Sequence, residues 1–136
     1  DKLAPLLQCR AGNWTAMAPL PGGDLPHASF ATFARSLRVK YPWLPQTLRR
    51  RYARAYGSRI SVLLANTHGL MDLGDEVLPE LHQREIDYLR TQEWAFTAQD
   101  ILWRRSKLGL HLPPGSEAVL DEWLERHPLT ATVTQR

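Results

Sequence analysis

The residues of this chain best suited to chemistry are arginines near position 50. They stand in a basic run, from position 35 to position 59, that contains no acid and is interleaved with tyrosines and a tryptophan. The candidate basic surface comprises Arg49, Arg50, Arg51 and Arg54. Guanidinium groups bind phosphate and aromatic rings stack on bases, so this composition suits a nucleic acid. An anionic membrane surface would attract the same charges, and a solvated helix face is the plainest interpretation.

A second candidate is a polar centre near position 104. Its members are Asp100, Arg104, Arg105 and Lys107. At helical spacing Arg105 shares a face with Ile101, Leu102 and Leu108, which places an arginine beside the core. A buried arginine needs carboxylate or carbonyl partners, and Asp100 and Glu93 are the candidates. We predict a structural ion pair here, with contact across an interface to another domain as the alternative.

Catalytic signatures are missing from the sequence. There is no glycine-rich phosphate loop, no paired metal-binding histidines on one helix, and no serine nucleophile motif. Cys9 is the single cysteine and has no base near it in the sequence. We therefore predict no catalytic, cofactor-binding or metal-binding residue in this chain.

Length and composition indicate one ordinary soluble domain. The chain has 136 residues, of which 43% are hydrophobic and 23% are charged. A single cysteine excludes an internal disulfide and favours a reducing, cytoplasmic compartment. The net charge of +3 hides an asymmetry, since residues 1–70 carry +8 and residues 71–136 carry −5. Such a chain either has a basic face or pairs its two halves with each other.

The hydrophobic pattern predicts an all-α fold, a compact bundle of five or six short helices. Prolines and glycines punctuate residues 1–26, which predicts an extended lead-in with a Pro-Gly-Gly-Asp turn at 21–24. The bundle is predicted over 27–128 and a flexible tail over 129–136. We expect helices over about 2–7, 28–40, 45–56, 58–64, 79–92, 97–108 and 116–127. Thr97 and Asp100 have the spacing of a capping box, and Ser116 is the expected cap of the last helix.

The run from Trp94 to Leu110, with its Leu-Trp-Arg-Arg-Ser-Lys-Leu-Gly core, resembles the C-terminal domain of aerobic, FAD-dependent glycerol-3-phosphate dehydrogenase. Three further stretches agree in the same order. They are residues 14–24 with Leu-Pro-Gly-Gly-Asp, 41–44 with Tyr-Pro-Trp-Leu, and 51–58 with Arg-Tyr-Ala-Arg-Ala-Tyr-Gly-Ser. The resemblance covers nearly the whole chain.

The resemblance implies a parent flavoprotein that oxidises sn-glycerol 3-phosphate to dihydroxyacetone phosphate and passes electrons to quinone. An oxidase branch of the family uses oxygen instead. FAD would sit in a preceding domain, with residues 1–26 as the linker from it and this chain as a helical cap. The implied partners are that FAD-binding domain, a second copy of the protein in a homodimer, and the inner face of the plasma membrane as a peripheral contact.

We expect the isolated chain to bind no FAD and to be inactive, and we expect no nucleic-acid partner. The alternative is a small basic helical module that binds nucleic acid or an anionic membrane surface through Arg49–Arg54. Salt dependence distinguishes the two hypotheses, because affinity for nucleic acid falls steeply as ionic strength rises and the strength of apolar domain packing does not.

Overall fold

The computed structural model describes residues 15–25 and 29–129. Five α-helices dominate them: α1 (Phe30–Lys40), α2 (Gln46–Tyr56), α3 (Ile60–Leu63), α4 (Gln83–Gln92) and α5 (Ser116–Arg126). Two short strands, β1 (Glu76–Leu78) and β2 (Leu81–His82), form an antiparallel hairpin. Short 3₁₀ turns cover Gly57–Arg59, Leu70–Leu73 and Leu108–Leu110, and a π-helix covers Asp100–Arg105.

The first two helices form where the hydrophobic pattern placed them. Ser29 caps α1 by accepting a hydrogen bond from the backbone N–H of Thr32, and Phe33 and Leu37 are its buried face. Pro45 precedes α2, whose interior face includes Leu48 and Tyr52. The two helices pack against each other.

The Pro-Gly-Gly-Asp segment is a turn, and it packs on the end of α2. Gly23 donates its backbone N–H to the carbonyl of Leu20 at 2.7 Å, and Ser58 donates to the carbonyl of Gly22 at 3.0 Å. A Cβ on Gly57 would lie 2.0 Å from the Gly22 oxygen. Glycine is therefore required where the turn meets the helix end.

The prediction of one helix over 79–92 is wrong for its first four residues. Pro79 and Glu80 instead form the turn of the hairpin, and Glu80 takes a left-handed conformation with φ +62°. Helix α4 begins only at Gln83. The hairpin contributes to the hydrophobic core, because Leu78 and Leu81 are buried in it and β1 packs against α5.

The predicted helix over 97–108 is also different. It is a short π-helical segment that ends at Arg105, after which Lys107 turns left-handed with φ +60°. A Cβ on Gly109 would lie 2.7 Å from the Trp103 ring, so this ring lies against the glycine backbone. Helix α5 is capped at Gly115 and not at Ser116, whose hydroxyl donates to the carbonyl of Pro113 at 2.8 Å.

One hydrophobic core joins these elements. Its fully buried members include Tyr52, Leu81, Ile86, Leu89, Ile101 and Leu120. The predicted all-α class is confirmed, with the small hairpin as an addition. None of the described helices is long and apolar enough to cross a bilayer. The predicted helix over 2–7, most of the lead-in and nearly all of the tail lie outside the described residues, so the domain boundaries stay predictions.

Candidate functional site

A buried ion pair fixes helix α2 to helix α4. Arg51 donates two parallel hydrogen bonds, each 2.6 Å long, to the two carboxylate oxygens of Glu85. The Tyr56 hydroxyl donates to the same carboxylate, which is completely buried. Arg51 also donates to the carbonyl of Glu80 in the hairpin turn. This fork geometry, with further donors, is what a buried carboxylate needs to be stable.

We call the Arg51–Glu85 pair, with the Tyr56 hydroxyl, the clamp. Its electrostatics favour a charged arginine and neutral tyrosines. Burial opposes the charged form of Arg51, but the hydrogen bonds and negative charge of Glu85 outweigh it and raise the Arg51 pKa. Burial, followed by the nearby Glu85 charge, raises the pKa of Tyr56 well above 10.0. The same two causes raise the pKa of Tyr52. Because Glu85 has no access to solvent, the arrangement holds the fold and offers no acid or base to a substrate.

The structure separates the four arginines of the candidate basic surface. Arg49 donates to the carbonyl oxygens of Leu44 at 2.8 Å and Tyr41 at 3.4 Å. With Arg51 held by Glu85, two of the four arginines are structural. Arg50 and Arg54 are exposed and occur in none of the ion pairs among the described residues.

Arg50 and Arg54 meet the second candidate cluster in one open groove of about 640 Å³. We call it the basic groove. Its walls are α2 and the end of the π-helix, and they present Thr47, Arg50, Arg54, Arg105, Ser106 and Lys107, with Glu80 and Arg51 at the hairpin side. Sequence reasoning treated the two basic clusters separately, and the fold brings them together.

The polar centre near position 104 differs from the expected arrangement. Asp100 accepts a 2.7 Å hydrogen bond from Arg104, not from Arg105. The expectation that Arg105 lies beside the core is wrong, because its side chain is exposed. A π-helix closes its hydrogen bonds over five residues, so the face that an α-helix would bury is rotated. Asp100 pairs with the neighbouring Arg104 instead, and that arginine side chain is 55% exposed, so the pair lies at the surface.

Asp100 caps the segment that carries these arginines. Its Oδ2 accepts hydrogen bonds from the Thr97 hydroxyl at 2.9 Å and from the backbone N–H groups of Thr97 and Phe96. The Thr97 hydroxyl in turn accepts from the Asp100 N–H at 3.1 Å, which confirms the predicted capping box. These bonds, led by those from Thr97, lower the pKa of Asp100.

A second groove beside the basic groove carries exposed apolar side chains. It is lined by Pro21, Tyr56 and Trp94 among others, and Arg105 borders both grooves. Trp94 is 77% exposed and has a left-handed backbone with φ +54°. Leu20, next to Pro21, is 80% exposed. We call Leu20, Pro21 and Trp94 the apolar rim.

Sequence reasoning missed Glu85, although a signal was present. Glu85 occupies the same face of α4 as Leu89 and follows the buried Leu81, so a carboxylate stands on an apolar stripe. A buried carboxylate requires a cationic partner, and Arg51 lies 34 residues away in the sequence. The need for a partner was predictable, and its identity was not.

Comparison with known proteins decides the family. The profile described as the C-terminal domain of alpha-glycerophosphate oxidase matches residues 13–126. The chain belongs to this family. It is 44% identical to D-erythritol 1-phosphate dehydrogenase of Brucella abortus over 88% of the chain and 24% of that protein. It is 44% identical to glycerol-3-phosphate dehydrogenase of Pseudomonas aeruginosa over 93% of the chain and 25% of that protein. It is 38% identical to aerobic glycerol-3-phosphate dehydrogenase of Escherichia coli over 91% and 25% respectively.

The chain therefore spans about a quarter of the length of these relatives. The glycerophosphate oxidase family depends on FAD. The described residues do not fit a dinucleotide, because their strands are three and two residues long and no glycine-rich turn leads from a strand into a helix. We derive no flavin step from them. Likewise, no group of histidine, cysteine and acidic side chains suited to a metal occurs in 15–25 and 29–129.

Proposed function

We propose that the protein carrying this chain is an FAD-dependent dehydrogenase of a polyol phosphate, with sn-glycerol 3-phosphate as substrate and quinone as acceptor. The supporting observation is the family match over residues 13–126, together with relatives whose names specify glycerol-3-phosphate and D-erythritol 1-phosphate. The substrates of these relatives share a primary phosphate on a short polyol, which defines the substrate class.

Within that protein, this domain packs against the FAD-binding domain. The apolar rim supports this role, because Trp94 and Leu20 are large side chains left in water by the domain's own core. Tryptophan is among the residues that contribute most at protein interfaces. Trp94 also has a left-handed backbone, which costs about 1–2 kcal/mol for a residue other than glycine. Contacts with a second copy of the protein are a further role of the same kind.

The proposed location is the cytoplasm, with the whole protein bound peripherally to the inner face of the plasma membrane. The exposed arginines of α1 and α2 support this location, since anionic lipids attract clustered cations by about 1 kcal/mol for each.

The test begins with the mass of the native polypeptide, measured by immunoblot of the source cells. A band about four times heavier than this chain is expected from the share of the relatives that it spans. The purified polypeptide should show a flavin spectrum and reduce a quinone analogue with glycerol 3-phosphate, and D-erythritol 1-phosphate serves as the competing substrate. A band at 15.6 kDa, or a heavier band without flavin, would sink the proposal.

The rival is a basic module that binds nucleic acid, and the structure weakens its argument. Base stacking requires exposed aromatic rings, yet Tyr41, Tyr52 and Tyr56 are buried. Trp43, the remaining aromatic residue of the basic run, is half-buried. Binding to a single-stranded oligonucleotide that weakens steeply between low and physiological salt would restore the rival.

A further inference from the structure

We propose that the basic groove is a binding site for a phosphate-bearing anion, either a free phosphate or phosphate monoester or the headgroup of a phospholipid. The groove's own charges and geometry carry this inference, and only its phospholipid outcome shares the membrane contact proposed above.

The first support is uncompensated charge. Arg50 and Arg54, one turn apart on α2, face Arg105 and Lys107 across the groove. None of the ion pairs among the described residues involves these four side chains. The one carboxylate on the wall, Glu80, lies 3.8 Å from the Nε of Arg51. Four cations around one groove repel each other, and a bound anion removes that repulsion.

The second support is a rigid frame. The α2 wall is fixed because Arg51, between Arg50 and Arg54, is clamped by Glu85. The opposite wall is fixed because Ser106 donates both its backbone N–H and its hydroxyl to the carbonyl of Ile101, at 2.9 and 2.6 Å. The backbone that carries these cations is therefore already ordered when an anion binds, and only side-chain freedom is lost.

The third support is the backbone that positions Lys107. A π-helix is rare and is frequent at functional sites, and this one ends two residues before Lys107. Lys107 then takes the left-handed conformation, φ +60° and ψ +14°, that ordinarily favours glycine. Its ammonium donates to the carbonyl of Trp103 and stays exposed, with donors left for a ligand. A lysine in a conformation where glycine would be less strained points to a role for its charge.

The chemistry of the lining favours phosphate. Arginine forks match phosphate oxygens, lysine adds a point charge, and the exposed Thr47 adds a hydroxyl donor. The volume of about 640 Å³ lies within the usual range for small-ligand sites. No aromatic ring lines the groove, so nothing there would stack on a base.

The experiment compares adjacent arginines in the full polypeptide. Arg105→Gln removes a charge from the groove, and Arg104→Gln removes an equal charge from the Asp100 pair outside it. Equilibrium dialysis against labelled inorganic phosphate, at about 0.15 M salt, counts the bound anions. A substrate site elsewhere in the polypeptide contributes equally to all variants. We expect about tenfold weaker binding at one site in Arg105→Gln and Arg54→Gln, and no change in Arg104→Gln.

Vesicles separate the two sources of phosphate. If all variants bind free phosphate equally well, binding to vesicles is measured by sedimentation with phosphatidylglycerol, and phosphatidylcholine vesicles serve as the uncharged control. Arg105→Gln should then bind phosphatidylglycerol vesicles about tenfold more weakly than wild type, and Arg104→Gln should bind them normally. Arg105→Lys keeps the charge and should bind, which controls for misfolding. The proposal is overturned if Arg104→Gln and Arg105→Gln behave alike with both probes, or if neither probe binds to the wild-type protein.

Discussion

One backbone contact explains why glycine occupies both position 22 and position 57, which lie in two of the stretches that resemble the family. The carbonyl of Gly22 accepts from Ser58 and occupies the space where a Cβ of Gly57 would stand. The Pro-Gly-Gly-Asp turn and the Tyr-Gly-Ser end of α2 are therefore two sides of one joint. The resemblance to the family singles out both stretches, but only the fold shows that they touch.

This joint leads to a stability prediction. Gly57→Ala should lower the free energy of unfolding by about 3 kcal/mol or more, because it adds both a left-handed alanine and a backbone clash. Gly115→Ala is the matched control, since Gly115 has φ +90° but no atom within 4 Å of a new Cβ. It should cost about 1 kcal/mol. Urea unfolding measures both, and equal losses would show that the joint contributes nothing.

The adjacent tyrosines of α2 give a second residue-scale prediction. The buried Tyr52 hydroxyl has no hydrogen-bond partner among the described residues, whereas Tyr56 donates to Glu85. Tyr52→Phe should be neutral or stabilise by up to about 1 kcal/mol, because it removes an unsatisfied polar group. Tyr56→Phe should destabilise by about 1–3 kcal/mol, because Glu85 loses a donor. Chemical denaturation at pH 7 distinguishes them, and the reverse order would contradict the assigned hydrogen bond.

The same tyrosines make stability depend on alkaline pH. An unfolded tyrosine ionises near pH 10, while Tyr56 stays neutral in the folded protein because its pKa is raised. Above pH 10 the unfolded state therefore holds fewer protons than the folded state, and the free energy of unfolding falls as pH rises. Tyr56→Phe should make this fall shallower between pH 9 and about 11. Unchanged slopes would show that Tyr56 ionises normally.

At the scale of elements, the sequence predicts helices well where an amphipathic pattern is continuous. Helices α1 and α2 lie within two residues of their predicted bounds. The two failures, at residues 79–82 and 106–108, share a cause. Left-handed residues that are not glycine, Glu80 and Lys107, end or interrupt the regular backbone, and their residue types give no local signal. Side-chain contacts accompany both segments: Arg51 donates to the Glu80 carbonyl, and the Trp103 ring lies against Gly109.

Asp100 caps the π-helical segment. Its titration predicts a loss of stability as pH falls, opposite in direction to the alkaline loss predicted for Tyr56. Its pKa is lowered in the folded protein, so its contribution is present above the unfolded value near pH 4 and is lost as pH falls. Asp100→Asn should reduce the free energy of unfolding at pH 7, and the difference from wild type should shrink below pH 4. Glu125→Gln, an exposed acid of α5, is the control and should change little. A pH-independent difference would show that charge is irrelevant to the cap.

At the scale of the whole molecule, the charge asymmetry of the sequence turns out to be a surface property. Only Arg51 pairs the basic half with the acidic half among the described residues, through Glu85 and Glu80. The other ion pairs, Arg104 with Asp100 and Arg126 with Glu122, are local. The net charge of each half was predictable from sequence, but the convergence of Arg50 and Arg54 with Arg105 became visible only in the fold, which places them around one groove.

The last prediction, also at the scale of the whole molecule, concerns the apolar rim. Trp94→Ala in the full polypeptide should loosen the proposed packing of this domain on an FAD-binding domain, because an interface tryptophan contributes about 2 kcal/mol or more. Limited proteolysis between the domains should then quicken by about tenfold or more. Met71→Ala is the control, since Met71 is 91% exposed on a different surface turn and should leave the rate unchanged. Because Trp94 contributes little to the domain's own core, the free energy of unfolding of this domain should stay within about 0.5 kcal/mol of wild type in both variants. Equal cleavage rates would place the interface on another face of the domain.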